Sequence, residues 1–129
     1  MAEQDAIYKC NICGNVVSVI EAHEGTLVCC GKDMELQEAK GAADEGKEKH
    51  VPIIAEEEGV LKVKVGAVPH PMEEKHYIEL IQVMVDGKIA IGKRLNPGDE
   101  PVVELMDKYK GKSIAARIYC NVHGLWKSG

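Results

Sequence analysis

The stretch Tyr119-Cys120-Asn121-Val122-His123-Gly124 decides how the rest of this chain has to fold. It follows an apolar run and presents a thiol and an imidazole separated by two residues. Both side chains are good ligands for transition metals. The other candidate ligands all lie upstream, so the fold has to bring them back to this stretch if they are to share one ion with Cys120 and His123.

The composition favours a small β-rich protein. The chain has 129 residues, of which 45% are hydrophobic, with four Tyr, one Trp and no Phe. A core without phenylalanine rests on Val, Ile, Leu and Met, and the β-branched residues among these favour strands. The length fits one medium domain, or one domain with a small satellite.

Charge and cysteine usage exclude several classes of protein. The net charge of −5 leaves no basic stripe for nucleic acid, and the apolar runs are too short to span a membrane. No apolar segment typical of a signal peptide follows Met1. Four of the five cysteines lie between Cys10 and Cys30. We therefore expect a cytoplasmic protein whose cysteines bind metal rather than form disulfides.

Residues 1–38 are predicted to form a domain held together by a metal. Cys10 and Cys13 are followed by Gly14, and the adjacent pair Cys29 and Cys30 is followed by another glycine. Four thiolates at this spacing favour tetrahedral zinc or a single iron. A unit this short buries too little apolar surface to fold without a bound metal ion that links its cysteines.

The strands expected in this unit are Val16–Ile20 and its hairpin return, Gly25–Val28. Adjacent side chains of an extended backbone point in opposite directions, so Cys29 and Cys30 can reach one ion only if the backbone is locally distorted. With four thiols present, His23 is expected to be a surface residue.

Residues 39–50 are predicted to be a linker, with room for a brief helical turn, that leads into a second site. From residue 51 to residue 129 the sequence alternates in the manner of strands, and Asp86-Gly87 is a strong hairpin signal. The predicted strands are 52–55, 60–65, 76–85, 88–95, 102–106 and 112–119. About seven short strands favour an immunoglobulin-like antiparallel β-sandwich, with an antiparallel barrel as the alternative.

Four histidines sit at strand boundaries or in loops of this second region: His50, His70, His76 and His123. Loops at one end of a rigid sheet commonly assemble a site. Together with Cys120 they would provide five donors, one more than structural zinc prefers. Iron accepts five donors and retains one open position, so the pattern indicates an open iron site.

Taken together, these motifs resemble desulfoferrodoxin, the two-iron form of superoxide reductase. The resemblance runs in order along the whole chain. It rests on Cys10-x-x-Cys13, Cys29-Cys30-Gly31, Glu48-Lys49-His50-Val51-Pro52, His70-Pro71-Met72, His76 and Cys120-Asn121-x-His123-Gly124.

The resemblance implies two iron ions per chain. The first would be held by Cys10, Cys13, Cys29 and Cys30. The second would have an equatorial plane of four imidazoles, from His50, His70, His76 and His123, with Cys120 axial. Superoxide would bind opposite Cys120 and leave as hydrogen peroxide.

Two further roles are implied for the residues that precede His50. Glu48 would ligate the second iron in its ferric resting state. Lys49 would attract superoxide and order a water molecule that donates a proton. The family also implies a homodimer and an electron donor such as rubredoxin, and it places the protein in the defence against oxidative stress.

Two other readings of the sequence stay open at this point. The chain could be a non-catalytic iron electron-transfer or metal-binding module, although a pure carrier gains nothing from an open position. It could also be a zinc-ribbon interaction module attached to a sandwich. A visible absorption spectrum distinguishes them, because a zinc protein is colourless whereas a four-thiolate ferric centre absorbs visible light. Trp126, Tyr119 and Met72 are expected to pack around the ligands rather than take part in the chemistry.

Overall fold

The computed structural model describes residues 2–128, and almost every regular element in it is a short antiparallel strand. The chain divides into two compact units, Met1–Glu38 and Ala39–Gly129. Within residues 2–128, no helix is both long enough and apolar enough to cross a membrane. The predicted all-β fold class is confirmed.

The first unit contains five very short strands. They are β1 (Ile7–Lys9), β2 (Val16–Ser18), β3 (Val28–Cys29), β4 (Lys32–Asp33) and β5 (Glu35–Leu36). Strand β1 lies in the middle of a three-stranded sheet of order β2-β1-β5, and β3 pairs with β4 in a separate hairpin. Strands this short have little stability of their own, which agrees with a unit that depends on a metal.

The predicted hairpin between residues 16–20 and 25–28 is wrong. Strand β2 pairs with β1, with Val17 opposite Tyr8, and Val28 pairs with Asp33. The reason is the turn that carries the first two cysteines. The Cys10 N–H donates to the Asn15 carbonyl at 2.8 Å, and this bond closes β1 and β2 into a hairpin.

The second unit is a two-sheet sandwich. After α1 (Lys47–His50) come β6 (Pro52–Glu57), β7 (Val60–Val65), β8 (Ile78–Val85), β9 (Lys88–Arg94), β10 (Val102–Leu105), a 3-10 helix (Asp107–Tyr109), β11 (Ile114–Cys120) and β12 (Gly124–Lys127). One sheet has the order β10-β7-β6 and the other β12-β11-β8-β9. The sandwich prediction is confirmed over the barrel, and Asp86-Gly87 forms the predicted β8–β9 turn.

The core forms between the two sheets, and on β7 its residues alternate with more exposed ones. On β7, Val63 and Val65 are buried while the lysines between and before them face outward. On β11 the buried positions include Ala116, Ile118 and Cys120, as the sequence predicted. Cys120 lies at the end of this strand, where a register shift between Tyr119 and Cys120 interrupts the alternation and Tyr119 is buried as well.

Residues 39–50 belong to the second unit. The Lys40 N–H donates to the Leu125 carbonyl at 2.9 Å, and the Lys127 N–H donates to the Lys40 carbonyl at 2.8 Å. Their partner strand β12 was not predicted from the sequence. Strand β8 begins at Ile78 rather than at His76, because His76 forms an isolated bridge with Glu73.

Candidate metal centres

The first unit brings its four cysteines together. One donor atom from each of Cys10, Cys13, Cys29 and Cys30 lies within 4.8 Å of the others. The Cys13 and Cys29 sulfurs are 3.5 Å apart, and those of Cys29 and Cys30 are 3.9 Å apart. No described cysteine is in a disulfide. This is the ligand arrangement of a four-thiolate site.

Two turns aim these side chains. The first is the Cys10–Gly14 turn, and the second is the β3–β4 connection at Cys30 and Gly31. Cys30 has φ 54°, a left-handed conformation that is uncommon for a residue with a side chain. This is the backbone distortion expected if two adjacent cysteines are to reach one point.

The thiol ionisation states show why the site fits a cation. The backbone N–H groups of Cys13 and Ile12 stabilise the Cys10 thiolate and lower its pKa to about 6. Hydrogen bonding to Cys13 raises the pKa of Cys29 to about 12 and also raises that of Cys30. Four crowded thiols cannot all ionise alone, but a bound metal cation would stabilise four thiolates.

The second unit assembles a different set of donors. His50, His70, His76, Cys120 and His123 each place one ligand atom within 4.8 Å of the others. His50 ends α1, His70 lies in the loop after β7, and His76 lies just before β8. Cys120 ends β11 and His123 lies in the turn to β12. Five separate chain positions converge at one end of the sandwich.

Hydrogen bonds determine which nitrogen two of the rings present. Nδ1 of His50 lies 2.8 Å from the Gly46 carbonyl, and Nδ1 of His70 lies 2.7 Å from the Pro71 carbonyl. Since a carbonyl only accepts, each Nδ1 carries the proton and each Nε2 keeps its lone pair. The two Nε2 atoms are 3.0 Å apart.

The four imidazole rings form a closed cycle. Successive neighbours in the order His50, His70, His76, His123 have ring centroids between 4.7 and 5.0 Å apart. The Cys120 sulfur lies 3.4 Å from His70 Nε2 and 3.8 Å from His123 Nδ1. Nε2 of His76 is buried and finds no hydrogen-bond partner among the described residues. A buried nitrogen of this kind, facing other lone pairs, fits a metal ligand.

Burial keeps these ligands in useful protonation states. It lowers the pKa of His70 to about 4 and also lowers the pKa values of His50 and His123. Neutral imidazole is the form that binds metals. Burial raises the pKa of the Cys120 thiol, so this thiolate too requires a cation beside it.

Trp126 and Lys40 surround two of the ligands. The indole stacks on His50 with centroids 4.7 Å apart, and its Nε1–H donates to the His123 carbonyl at 3.1 Å. Nζ of Lys40 donates to the same carbonyl at 3.2 Å and lies 5.3 Å from the indole centroid. Trp126 packs around the ligands as predicted. Lys40 was missed because nothing in its local sequence signals a contact 83 residues away.

Glu48 and Lys49 lie exposed in α1, immediately before the first histidine ligand. In residues 2–128 the Glu48 carboxylate is not part of the close donor group. The positive charge of Lys49 reaches His123, where it adds to the lowering of the pKa caused mainly by burial. His23 is exposed and pairs with Glu21 at 3.1 Å, as predicted for a surface residue.

Fold and donors together define a non-haem metalloprotein with one four-thiolate centre and one four-imidazole, one-thiolate centre. Two family profiles match, desulfoferrodoxin over residues 42–129 and the desulfoferrodoxin N-terminal domain over residues 2–37. The chain belongs to the desulfoferrodoxin family. Each of the two iron ions expected for that family has a ligand set here.

Individual relatives agree with this assignment. A desulfoferrodoxin homologue from Archaeoglobus fulgidus is 54% identical, and the alignment covers 100% of both chains. The structure of a Treponema pallidum superoxide reductase has a TM-score of 0.70 at 23% identity, covering 100% of both chains, and so supports the fold. A one-iron superoxide reductase from Giardia intestinalis is 34% identical with a TM-score of 0.52, covering 64% of this chain and 96% of its own.

Proposed function

We propose that this protein is a superoxide reductase, which converts superoxide to hydrogen peroxide at the His4Cys centre. The observation that carries the proposal is the convergence of His50, His70, His76, Cys120 and His123 on one point. Around an octahedral iron ion these five donors would leave the sixth position for a small anion. This sixth position distinguishes the site from the metal site of a pure electron carrier, which does not need a place for a substrate.

Superoxide becomes hydrogen peroxide by accepting one electron and two protons. Ferrous iron, when bound, would supply that electron. Burial lowers the pKa values of His50, His70 and His123 and so favours the neutral, metal-binding form of these imidazoles, while Cys120 contributes the one anionic ligand. Lys49, which is exposed and whose charge acts on His123, attracts the superoxide anion and orders the water that donates a proton.

Glu48 is proposed as a ligand of the ferric resting state. Glu48 is two residues before His50 and is exposed, and the proposal requires its carboxylate to move to the site on oxidation. We expect Glu48→Ala to leave the first encounter with superoxide unchanged and to alter the visible spectrum of the oxidised second centre. An unaltered spectrum would show that Glu48 is not a ligand in that state.

The three segments of the chain have separate roles in this proposal. Residues 1–38 carry the four-cysteine iron, residues 39–50 lead Glu48 and Lys49 to the second site, and residues 51–129 form the catalytic sandwich. A small cytoplasmic electron-transfer protein such as rubredoxin would return the second iron to its ferrous state. This assignment places the protein in the detoxification of superoxide.

We also propose a homodimer. In the first unit Ile12, Ile20 and Val28 are 58%, 89% and 58% exposed, and the proposed dimer would bury apolar residues such as these. Light scattering after size-exclusion chromatography measures the mass. A mass of one chain across the micromolar range would contradict the dimer.

Pulse radiolysis tests the activity directly. The reduced protein is mixed with a radiolytic burst of superoxide while absorbance and peroxide are followed. We expect second-order decay far faster than spontaneous dismutation, with one peroxide formed and no oxygen evolved per superoxide consumed. Oxygen evolution would indicate dismutation, and decay at the rate of buffer alone would favour a non-catalytic metal-binding module.

A further inference from the structure

Gly66 is the residue that follows β7, and its backbone lies against the segment that carries Glu48, Lys49 and His50. A Cβ atom built at Gly66 would be 2.7 Å from both the carbonyl carbon and the carbonyl oxygen of Lys49, and 2.8 Å from the Glu48 carbonyl oxygen. Carbon atoms of side chains do not approach backbone this closely. Only glycine therefore fits at this position.

Hydrogen bonds hold the same segment on both sides of this contact. The Val68 N–H donates to the Glu48 carbonyl at 2.8 Å, and the Gly66 N–H donates to the Val51 carbonyl at 3.2 Å. Residues 48 and 51 are thus fixed to the turn after β7. The Lys49 carbonyl, between them, lies directly over the Gly66 backbone.

We propose that Gly66 is a positioning residue for the superoxide reaction, because its missing side chain sets where Lys49 and His50 lie. This inference rests on the proposed function. The three heavy atoms nearest a Cβ built at Gly66 belong to the backbone of Glu48 and Lys49, and none is a donor atom of the metal group. It acts through the 48–51 backbone, which carries one ligand and the charge that meets the substrate.

A matched glycine makes this proposal testable. Gly59 precedes β7 as Gly66 follows it, and the two have φ values of 80° and 75°. A Cβ atom at Gly59 would meet nothing within 4 Å. Alanine at either position imposes the same left-handed strain, but only alanine at 66 displaces the Lys49 backbone.

The experiment compares Gly66→Ala, Gly59→Ala and the parent, each as the full chain with both irons. We expect Gly66→Ala to slow the low-salt reaction with superoxide on the order of tenfold, since a displacement below 1 Å suffices for such a loss. Its rate should also depend less on ionic strength. The oxidised second centre should show a shifted absorption band, while the four-cysteine centre keeps its own. Gly59→Ala should match the parent in each measurement.

Parent-like rate, salt dependence and second-centre spectrum in Gly66→Ala would overturn the proposal, as would equal changes in Gly59→Ala. If Gly66→Ala does not fold, Val68→Pro replaces it, because proline removes the N–H that holds the Glu48 carbonyl. The same directions of change are then expected, and parent-like behaviour of that variant overturns the proposal. Failure of the parent to react with superoxide would instead refute the proposed function, while the spectral comparison still tests Gly66.

Discussion

His50 and His70 are each held by a backbone carbonyl through Nδ1, at 2.8 and 2.7 Å. The hydrogen bond fixes the tautomer, limits rotation of the ring and leaves Nε2 directed at the neighbouring donors. His50 is further restrained by the stacked indole of Trp126. Ligands held in this way need little rearrangement to accept an ion, which is the basis of a preorganised site.

Lys49 is expected to attract superoxide, and Lys49→Ala removes that charge without touching a ligand. The second-order rate constant with superoxide at low ionic strength should fall about tenfold, since steering by local charge contributes factors of 10 to 1000. The remaining rate should vary less with salt, because salt screens an attraction that is largely gone. Pulse radiolysis over a series of salt concentrations measures both effects.

Lys47→Ala is the matched control for this substitution. Lys47 begins the same short helix, is exposed and carries the same charge, but of these two lysines it is Lys49 that helps to lower the pKa of His123. The two variants therefore share net charge and differ in the position of the loss. Equal effects in both would mean that overall charge, and not Lys49, draws the anion.

Side chains differ in how far the sequence can predict their roles. The nine ligand candidates stand out because cysteine and histidine are few and lie beside turns. The choice between Nδ1 and Nε2 does not follow from spacing, since it depends on carbonyls such as that of Gly46. The roles of Lys40 and Gly66 cannot be predicted from the sequence either, because they depend on contacts with residues that are distant in the chain.

Two strands of the four-stranded sheet bring three of the five ligands of the second centre together, His76, Cys120 and His123. Strands β8 and β11 pair along their length, and the ladder ends with Cys120 opposite Ile78. Beyond the end of the ladder, the Asn121 side chain makes the hydrogen bonds that connect the two segments. The Tyr77 N–H donates to its Oδ1 at 2.9 Å, and its Nδ2 donates to the Lys75 carbonyl at 2.9 Å. Asn121 thus ties the segment around His76 to the turn that contains His123.

Asn121→Ala should loosen this junction. Loss of two hydrogen bonds at about 1 kcal/mol each predicts a fall of about 2 kcal/mol in the free energy of unfolding. The electron paramagnetic resonance signal of the oxidised second centre should broaden, because His76 is held less firmly. Urea titration and the resonance spectrum measure the two effects.

Asn96→Ala serves as the control, since the backbone N–H of Asn96, and not its side chain, donates to Asp99 at 2.7 Å. Removing that side chain leaves the bond in place. If Asn121→Ala changed neither the free energy of unfolding nor the electron paramagnetic resonance signal, the Asn121 amide would not hold these two segments together.

The elements that the sequence predicts well are those with strong local signals. The Asp86-Gly87 turn and the alternation in β7 fix β8–β9 and the buried face of β7. In the first unit, by contrast, the strands have two or three residues, too few for alternation to identify their partners. Their pairing is decided by the cysteine turns, and so the hairpin between residues 16–20 and 25–28 was wrongly predicted.

The molecule as a whole carries one ligand set in each compact unit. All four cysteines of the first centre lie within Met1–Glu38, and all five ligands of the second lie within Ala39–Gly129. No ligand of either set comes from the other unit. The second set includes Cys120 of the extensive sandwich core, whereas the buried apolar residues described in the first unit are only Ile7, Tyr8, Cys10 and Val19. Metal loss should therefore affect the two units differently.

Cys13→Ser tests this independence. A four-thiolate site that loses one thiolate should no longer hold iron, so iron content should fall from two ions to one and the visible bands of the ferric thiolate centre should disappear. The reduced second centre should still consume superoxide at a rate within about twofold of the parent, because each of its five ligands remains. Cys120→Ser is the reciprocal variant and should lose the sulfur-to-iron band of the second centre while keeping the first. Loss of the fast reaction in Cys13→Ser, measured by pulse radiolysis on protein that retains one iron, would show that catalysis requires the first centre and that the two units do not work separately.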